Sequence, residues 1–177
     1  ADIDLTDDTR KGGKLNNLPS DAYESGHGWE PIAGFSGNFD GKGHTIKGLY
    51  QRTKIYSRDG RLVSNMASGY GGLFASISGG VKIKNVELKG FDIQCHTMCG
   101  LLVGQYKNSG NPTNAWNVEI SGISVRQGSI SGMNYIDIGG LFGSLYGNSE
   151  SNLTLNNIYV DAYIDGLNDV SEFGMLG

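Results

Sequence analysis

Val81-Lys82-Ile83-Lys84-Asn85-Val86, Val118-Glu119-Ile120-Ser121-Gly122-Ile123 and Leu153-Thr154-Leu155-Asn156-Asn157-Ile158 repeat one pattern, and His44-Thr45-Ile46-Lys47-Gly48-Leu49 reads as a fourth copy. Their centres, Ile46, Ile83, Ile120 and Leu155, recur every 35–37 residues. Apolar and polar side chains alternate up to Lys84, the period-two mark of a strand with one buried face. The phase then slips by one, so that Val86 and Leu88 face inward while Glu87 and Lys89 face out. Such a slip needs a corner. The residue there is Gly48, Asn85, Gly122 or Asn157. Glycine and asparagine enter left-handed backbone most readily, so their exchange at one site predicts positive φ.

A second motif interleaves with the first: Gly72-Leu73-Phe74-Ala75, Leu101-Leu102-Val103-Gly104, Gly140-Leu141-Phe142-Gly143 and Gly174-Met175-Leu176-Gly177. Each repeat then holds about three short strands and no helix-length amphipathic segment. A single unit cannot bury its own apolar face, but stacked units can. The expected fold is all-β: a parallel β-solenoid (β-helix) of about four repeats, right-handed because crossover connections take that hand. A β-propeller needs antiparallel hairpins within each blade, and single-residue corners argue against it. One domain over residues 1–177 is expected.

Composition agrees with short strands and tight turns. The chain has 29 glycines and 3 prolines in 177 residues, without the Gly-X-Y period of collagen. The net charge of −4 supplies no basic field for phosphate backbone, so nucleic acid is not an expected partner. No apolar run approaches the roughly 18 residues of a membrane span, so no membrane insertion is expected. Ala1-Asp2-Ile3-Asp4-Leu5 reads as a strand already under way, without the basic head of a signal peptide. The chain reads as a segment of a longer protein, its end turns covered by neighbouring domains or by other copies.

Spacing places the surface features. The intervals that vary between repeats predict loops at Ser76–Gly80, Gln105–Asn117 and Ser144–Asn152. The first repeat carries an extra stretch from Gln51 to Asn65, with Asp59-Gly60 as a hairpin-turn dipeptide.

The stretch Phe35-Ser36-Gly37-Asn38-Phe39-Asp40-Gly41-Lys42-Gly43-His44-Thr45-Ile46-Lys47-Gly48-Leu49, with Asp2-Ile3-Asp4-Leu5 and Trp29-Glu30-Pro31-Ile32 before it, resembles the opening of bacterial cell-surface GLUG-repeat proteins. The Gly-Leu-Phe-Gly motifs are similar to the repeat that names them. The resemblance spans essentially the whole chain. It departs at Ala75, at Leu101 and in the insertions Thr6–Gly28 and Gln51–Asn65. It implies a secreted or surface-attached β-solenoid, adhesin-like or belonging to the non-catalytic part of an immunoglobulin A protease. It implies no reaction.

The residues themselves suggest no catalysis. His27, His44 and His96 are followed by Gly, Thr and Thr, so no His-Glu-x-x-His zinc site exists. His44 takes the place of the inward Val81, Val118 and Leu153, and is expected to be a hydrogen-bonded histidine near the end of the stack. The outward columns read Tyr50, Glu87, Ser124, Tyr159 and Arg52, Lys89, Arg126, Asp161, which pair no carboxylates for acid–base work. A loop pair of Asp7 or Asp8 with Asp40 is the weaker enzymatic reading. Asp2, Asp4, Asp7 and Asp8 do not recur each turn, which favours a solvated strand face over a calcium site. No cofactor or metal is expected. Cys95 and Cys99 lack the further ligands of a zinc site; reduced, partly buried thiols are the expected state, with a local disulfide as the alternative.

Binding remains. Tyr106, Asn108, Asn111, Asn114 and Trp116 combine flat rings with planar amides, the mixture that recognises sugars. The competing reading packs Trp116 beneath its own loop. Arg52, Arg58 and Arg61 make the extra hairpin basic, suited to an acidic glycan or protein or else a solvated face. The expected function is a non-catalytic extracellular module of a bacterial surface protein. Its work would be adhesion or display, meeting a host or bacterial surface glycan or protein through stacked loops. The alternatives are a substrate-positioning domain of a secreted protease and, weaker, a polysaccharide-active β-helix enzyme.

Overall fold

In chain order the strands are β1 (Ile3–Asp4), β2 (Phe35–Lys47), β3 (Tyr50–Arg52), β4 (Lys54–Tyr56), β5 (Leu62–Asn65), β6 (Phe74–Lys89), β7 (Asp92–Cys95), β8 (Met98–Gly100), β9 (Val103–Tyr106), β10 (Asn117–Met133), β11 (Asp137–Gly139), β12 (Phe142–Ser144), β13 (Asn152–Leu167) and β14 (Glu172–Gly174). A single turn of helix, α1, covers Thr6–Thr9. The computed structural model describes residues 1–10, 12–16, 26–66, 69–106, 115–133, 137–167 and 172–174. The protein is all-β, built on a large, strongly curled parallel sheet.

Parallel registration of like sequence makes the core. Val81, Val118 and Leu153 lie side by side across β6, β10 and β13, as do Ile83, Ile120 and Leu155, then Val86, Ile123 and Ile158, then Leu88, Val125 and Val160. Side chains flanked on both sides vanish from solvent: Val118, Ile120 and Val125 are 0% exposed. A β-branched side chain with a like neighbour on either side fills the inter-strand space without voids, which is why the pattern tolerates so little variation.

The corners follow the same registration. Asn85, Gly122 and Asn157 have φ of 56°, 62° and 54°, the left-handed backbone that their exchange predicts. A second column of corners was not visible in the sequence. Gly48, Gly90 and Gln127 have φ of 73°, 62° and 54°. They are linked by hydrogen bonds from Gly48 N–H to the Lys89 carbonyl and from Gly90 N–H to the Arg126 carbonyl, each 2.9 Å. Gln127 hides the column from any search for glycine or asparagine.

The first repeat is registered differently from the sequence reading. Ile46 pairs with Leu88, and Phe39 is the residue opposite Ile83. The cause is a three-residue bulge, Gly41-Lys42-Gly43, where later strands have a single corner residue. Asp40 organises it, its Oδ1 accepting from Lys42 N–H at 2.9 Å and from Asn85 Nδ2 at 3.1 Å. Gly48 thus belongs to the second corner, and Tyr50 and Arg52 lie opposite Asp92 and Gln94 rather than in the columns of Glu87 and Lys89. His44 sits opposite Val86. It is exposed, because β1 reaches only Ile46 and Lys47, and its ring contacts Asp2 at 3.3 Å and the N-terminal amine at 3.0 Å.

Two further expectations change, at Ser76–Gly80 and at the two cysteines. Ser76–Gly80 forms no loop; it runs inside β6, with Ile77 held between Phe35 and Tyr106. The edge of β3 is already covered by the chain itself. Thr9 and Asn16, 0% and 2% exposed, bridge α1 to Gly26 through Asn16 Nδ2 to the Thr9 carbonyl and Gly26 N–H to Asn16 Oδ1, both 2.8 Å. Gly28 then pairs antiparallel with Gln51. Finally, Cys95 and Cys99 form a disulfide across the β7–β8 corner, with Cα atoms 6.1 Å apart, in place of the reduced thiols. The corner brings the two residues together while leaving both side chains fully buried.

Candidate functional site: the arginine hairpin and the outer sheet face

The extra segment of the first repeat is the hairpin that Asp59-Gly60 predicts. β4 and β5 are antiparallel, with Ile55 opposite Ser64 and Tyr56 opposite Leu62. Gly60 takes φ 82°, and Ser57 N–H donates to the Arg61 carbonyl at 2.8 Å. The Ser57 hydroxyl donates to the Asp59 carboxylate, which holds that carboxyl below its usual range.

Its base is firmly rooted. Ile55 is 4% exposed, and Met66 N–H reaches the Thr53 carbonyl at 2.7 Å. The His27 ring bridges the Arg52 carbonyl at 2.7 Å and the Ser64 hydroxyl at 2.8 Å. Buried Gln51 donates to the Tyr70 carbonyl and accepts from Gly72 N–H, at 2.8 and 3.1 Å. At the tip, Arg58 and Arg61 are exposed.

Arg52 has a different task. Its guanidinium lies 2.9 Å from Asp92 and 4.2 Å from the centroid of the Tyr50 ring. Arg10 approaches the same pair, 3.7 Å from Asp92 and 5.1 Å from the ring centroid. Two cations, one carboxylate and one ring therefore clamp the segment after α1 onto β3 and β7. Of the three arginines read as hairpin cations, Arg58 and Arg61 are on it and Arg52 is in the clamp.

Tyr106 and Trp116 come together, with ring centroids 5.0 Å apart, but they are 5% and 8% exposed. The Trp116 indole N–H donates to the Tyr146 carbonyl at 2.7 Å, and the Tyr106 hydroxyl accepts from Gly79 N–H at 3.1 Å. Burial pushes the Tyr106 hydroxyl pKa up. Both rings are therefore engaged in packing. Asn108, Asn111 and Asn114 lie outside the described residues.

The outer sheet face is laced by ion pairs between neighbouring strands. Lys47 meets Asp4 at 2.9 Å, Lys84 meets Asp40 at 3.5 Å, Lys82 meets Glu119 at 2.8 Å and Arg126 meets Glu87 at 3.1 Å. The Lys47 ammonium, with Thr6, draws the Asp4 carboxyl down to about 2. Asp2 accepts from Thr45 N–H and the His44 ring, which holds it low as well. Exposed pairs of this kind add little stability. Their use is registration, because a one-residue slip would set each charge against an apolar position of the neighbouring strand and turn it toward the buried face. Among the described residues no three His, Cys, Asp or Glu side chains converge on one point. Sequence reasoning also passed over Tyr146 and Tyr163, 61% and 68% exposed; alternation alone marks Tyr163 as outward.

His96 joins hairpin to sheet through Thr53 Oγ1 at 2.8 Å. Burial, with Lys54 nearby, lowers its pKa from 6.5. Between the folded pKa and 6.5 the unfolded chain binds more protons, so stability rises with pH across that window. Global stability is expected to fall as pH drops below 6.5, and His96→Gln is expected to flatten that slope. Denaturant midpoints at stepped pH test this; an unchanged slope in His96→Gln assigns the effect elsewhere.

No protein-family model matches the chain, and neither a curated protein nor a solved structure does.

Proposed function

We propose that this chain is a non-catalytic, extracellular β-solenoid module of a bacterial surface protein, working in adhesion or display. In this reading the curled sheet closes into about four right-handed turns. Supporting the winding, successive repeats contribute in parallel to two sheets: the large sheet, which includes the β9–β12 pair, and the three-stranded sheet ordered β14-β11-β8. An extracellular setting is supported by the Cys95–Cys99 disulfide, a bond that persists in oxidising compartments, and by the GLUG-like stretch Phe35–Leu49.

The observation that carries the binding role is the rooted hairpin. It presents Arg58 and Arg61 at an exposed tip while its base is held by Ile55, His27 and Thr53. A rigid support limits the entropy lost on binding, and guanidinium groups suit carboxylate and sulfate recognition. The partner class is an acidic surface glycan or an acidic protein patch.

Titration of the protein onto immobilised sulfated and sialylated glycans, and onto an acidic protein, tests this. Binding is expected to weaken with salt and to fall about tenfold or more in Arg58→Ala/Arg61→Ala, since charge-assisted contacts contribute about 1 kcal/mol or more each. Both side chains are exposed, and contacts of exposed charges add little stability, so the thermal transition is expected to shift only slightly. Full binding in the double variant would move the contact away from the hairpin.

A further inference from the structure

The chain that leads into the hairpin carries an inference of its own. From Gln51 to Tyr56 burial alternates without a break. Gln51, Thr53 and Ile55 are 0%, 1% and 4% exposed, while Arg52, Lys54 and Tyr56 are only partly buried. A period of two puts the last three on one side of the chain, and Arg58 follows at the exposed tip. Alternate residues of a strand lie about 6.6 Å apart, so Arg52, Lys54 and Arg58 define a line of cations roughly 20 Å long. The line is narrow. Across the hairpin, the residues opposite Lys54 and Tyr56 are Asn65 and Leu62, which carry no charge.

The cations of this line are not used up within the protein. Lys54 has no carboxylate partner among the described residues. At the inner end Arg10 and Arg52 share the single carboxylate of Asp92. Arg52 holds it at 2.9 Å and also donates to the Gln51 and Asp92 carbonyls, at 2.9 and 3.1 Å. Arg10 reaches it only at 3.7 Å and keeps a half-exposed side chain, which leaves guanidinium N–H donors for a ligand.

Spacing and width select the ligand class. A nucleic-acid strand carries a charge about every 3.4 Å, roughly half the interval of these cations. An acidic protein patch spreads its charge over an area, whereas the flank here is Leu62 and Asn65. A linear glycan with carboxylate or sulfate groups at intervals matches a single file of guanidinium and ammonium groups. The partly exposed Tyr56 ring, between Lys54 and Arg58, adds an apolar face for a sugar.

We propose that the outward side of residues 52–58, with Arg10 at its inner end, is an extended subsite along which a linear acidic glycan lies. The inference rests on the hairpin reading above and deepens it: the ligand is a chain of several sugars, and the tip holds only one end of it.

Heparin-derived fragments of two to eight sugars, titrated against the whole chain, test this. Affinity is expected to rise about tenfold from the shortest fragment to the longest, as further charged contacts are made. In Lys54→Ala and in Arg10→Ala the longest fragment is expected to bind about fivefold more weakly, and the shortest, which the tip alone accommodates, to bind as before. Arg10 also clamps the segment after α1, so Lys54→Ala carries the test if Arg10→Ala disturbs the fold. Affinity that does not depend on length, or undiminished binding of the longest fragment by Lys54→Ala, would overturn the proposal. If Arg58→Ala/Arg61→Ala alone weakens binding, the tip remains the contact and the extended subsite falls. If that double variant binds every fragment fully, the hairpin reading and this one fall together. An oligodeoxythymidylate of equal charge that binds as tightly as the longest fragment, with the same loss in Lys54→Ala, would overturn the proposal in favour of a nucleic acid.

Discussion

Ile120→Ala is expected to destabilise the protein by about 3 kcal/mol, and Leu155→Ala by less than half as much. The two residues occupy one column, opposite each other across β10 and β13. Ile120 is 0% exposed because Ile83 and Leu155 flank it, so truncation leaves a cavity that neither neighbouring strand can fill without giving up its own registration. Among the described residues Leu155 has a strand neighbour on one side, and it is only partly buried; its removal gives back area that water already reaches in part. Urea denaturation followed by circular dichroism measures both. Equal losses would mean that the outer side of β13 is covered in solution. A small loss at Ile120 would mean that the core columns are looser than the parallel register implies.

Gly143→Ala is expected to be strongly damaging for a single added methyl, with a loss of about 3 kcal/mol, the upper range for forcing atoms into a packed interior. A Cβ at Gly143 would lie 2.5 Å from Cys99 N and 2.5 Å from the Gly104 carbonyl oxygen. Both contacts are with backbone, so no rotamer change relieves them. The glycine is required by the approach of one strand to the turn of the preceding repeat, and its φ is not in the left-handed region. The same arrangement holds one repeat earlier, where a Cβ at Gly104 would lie 2.7 Å from the Ala75 carbonyl oxygen. Ala75 itself keeps a methyl group, since the chain beyond it is Ile32, which its N–H meets at 2.8 Å, and not another copy of the motif. A loss below about 1 kcal/mol in Gly143→Ala would show that these backbones separate readily.

Repetition is what made the fold legible. Val81, Val118 and Leu153 state the same local requirement three times, and parallel stacking is the arrangement that satisfies all three at once. The positive φ at Asn85, Gly122 and Asn157 was readable for the same reason, and the Asp59-Gly60 turn because its chemistry is contained in adjacent residues. Features that occur once were not readable. The bulge at Gly41–Gly43 shifts the first strand against the second, and only the Asp40 contacts with Lys42 and Asn85 locate it. Arg52 reads like the arginines that follow it until Asp92, forty residues on, takes it into a clamp.

The candidate site divides along that line. Arg58 and Arg61 could be assigned to a hairpin tip from the sequence because a turn is a local object. Whether Tyr106 and Trp116 offer their rings to a sugar depends on what covers them, and Tyr146, Gly79 and the core around them are distant in the chain. The sequence by itself determined the all-β class, the parallel register of the later repeats, the first column of corners and the hairpin, since each follows from spacing along the backbone. The tertiary structure alone decided the offset of the first strand, the cover over β3 and the closure of Cys95 with Cys99. Those depend on which distant groups meet, and the free energy of such a meeting is a property of the packed chain rather than of any stretch within it.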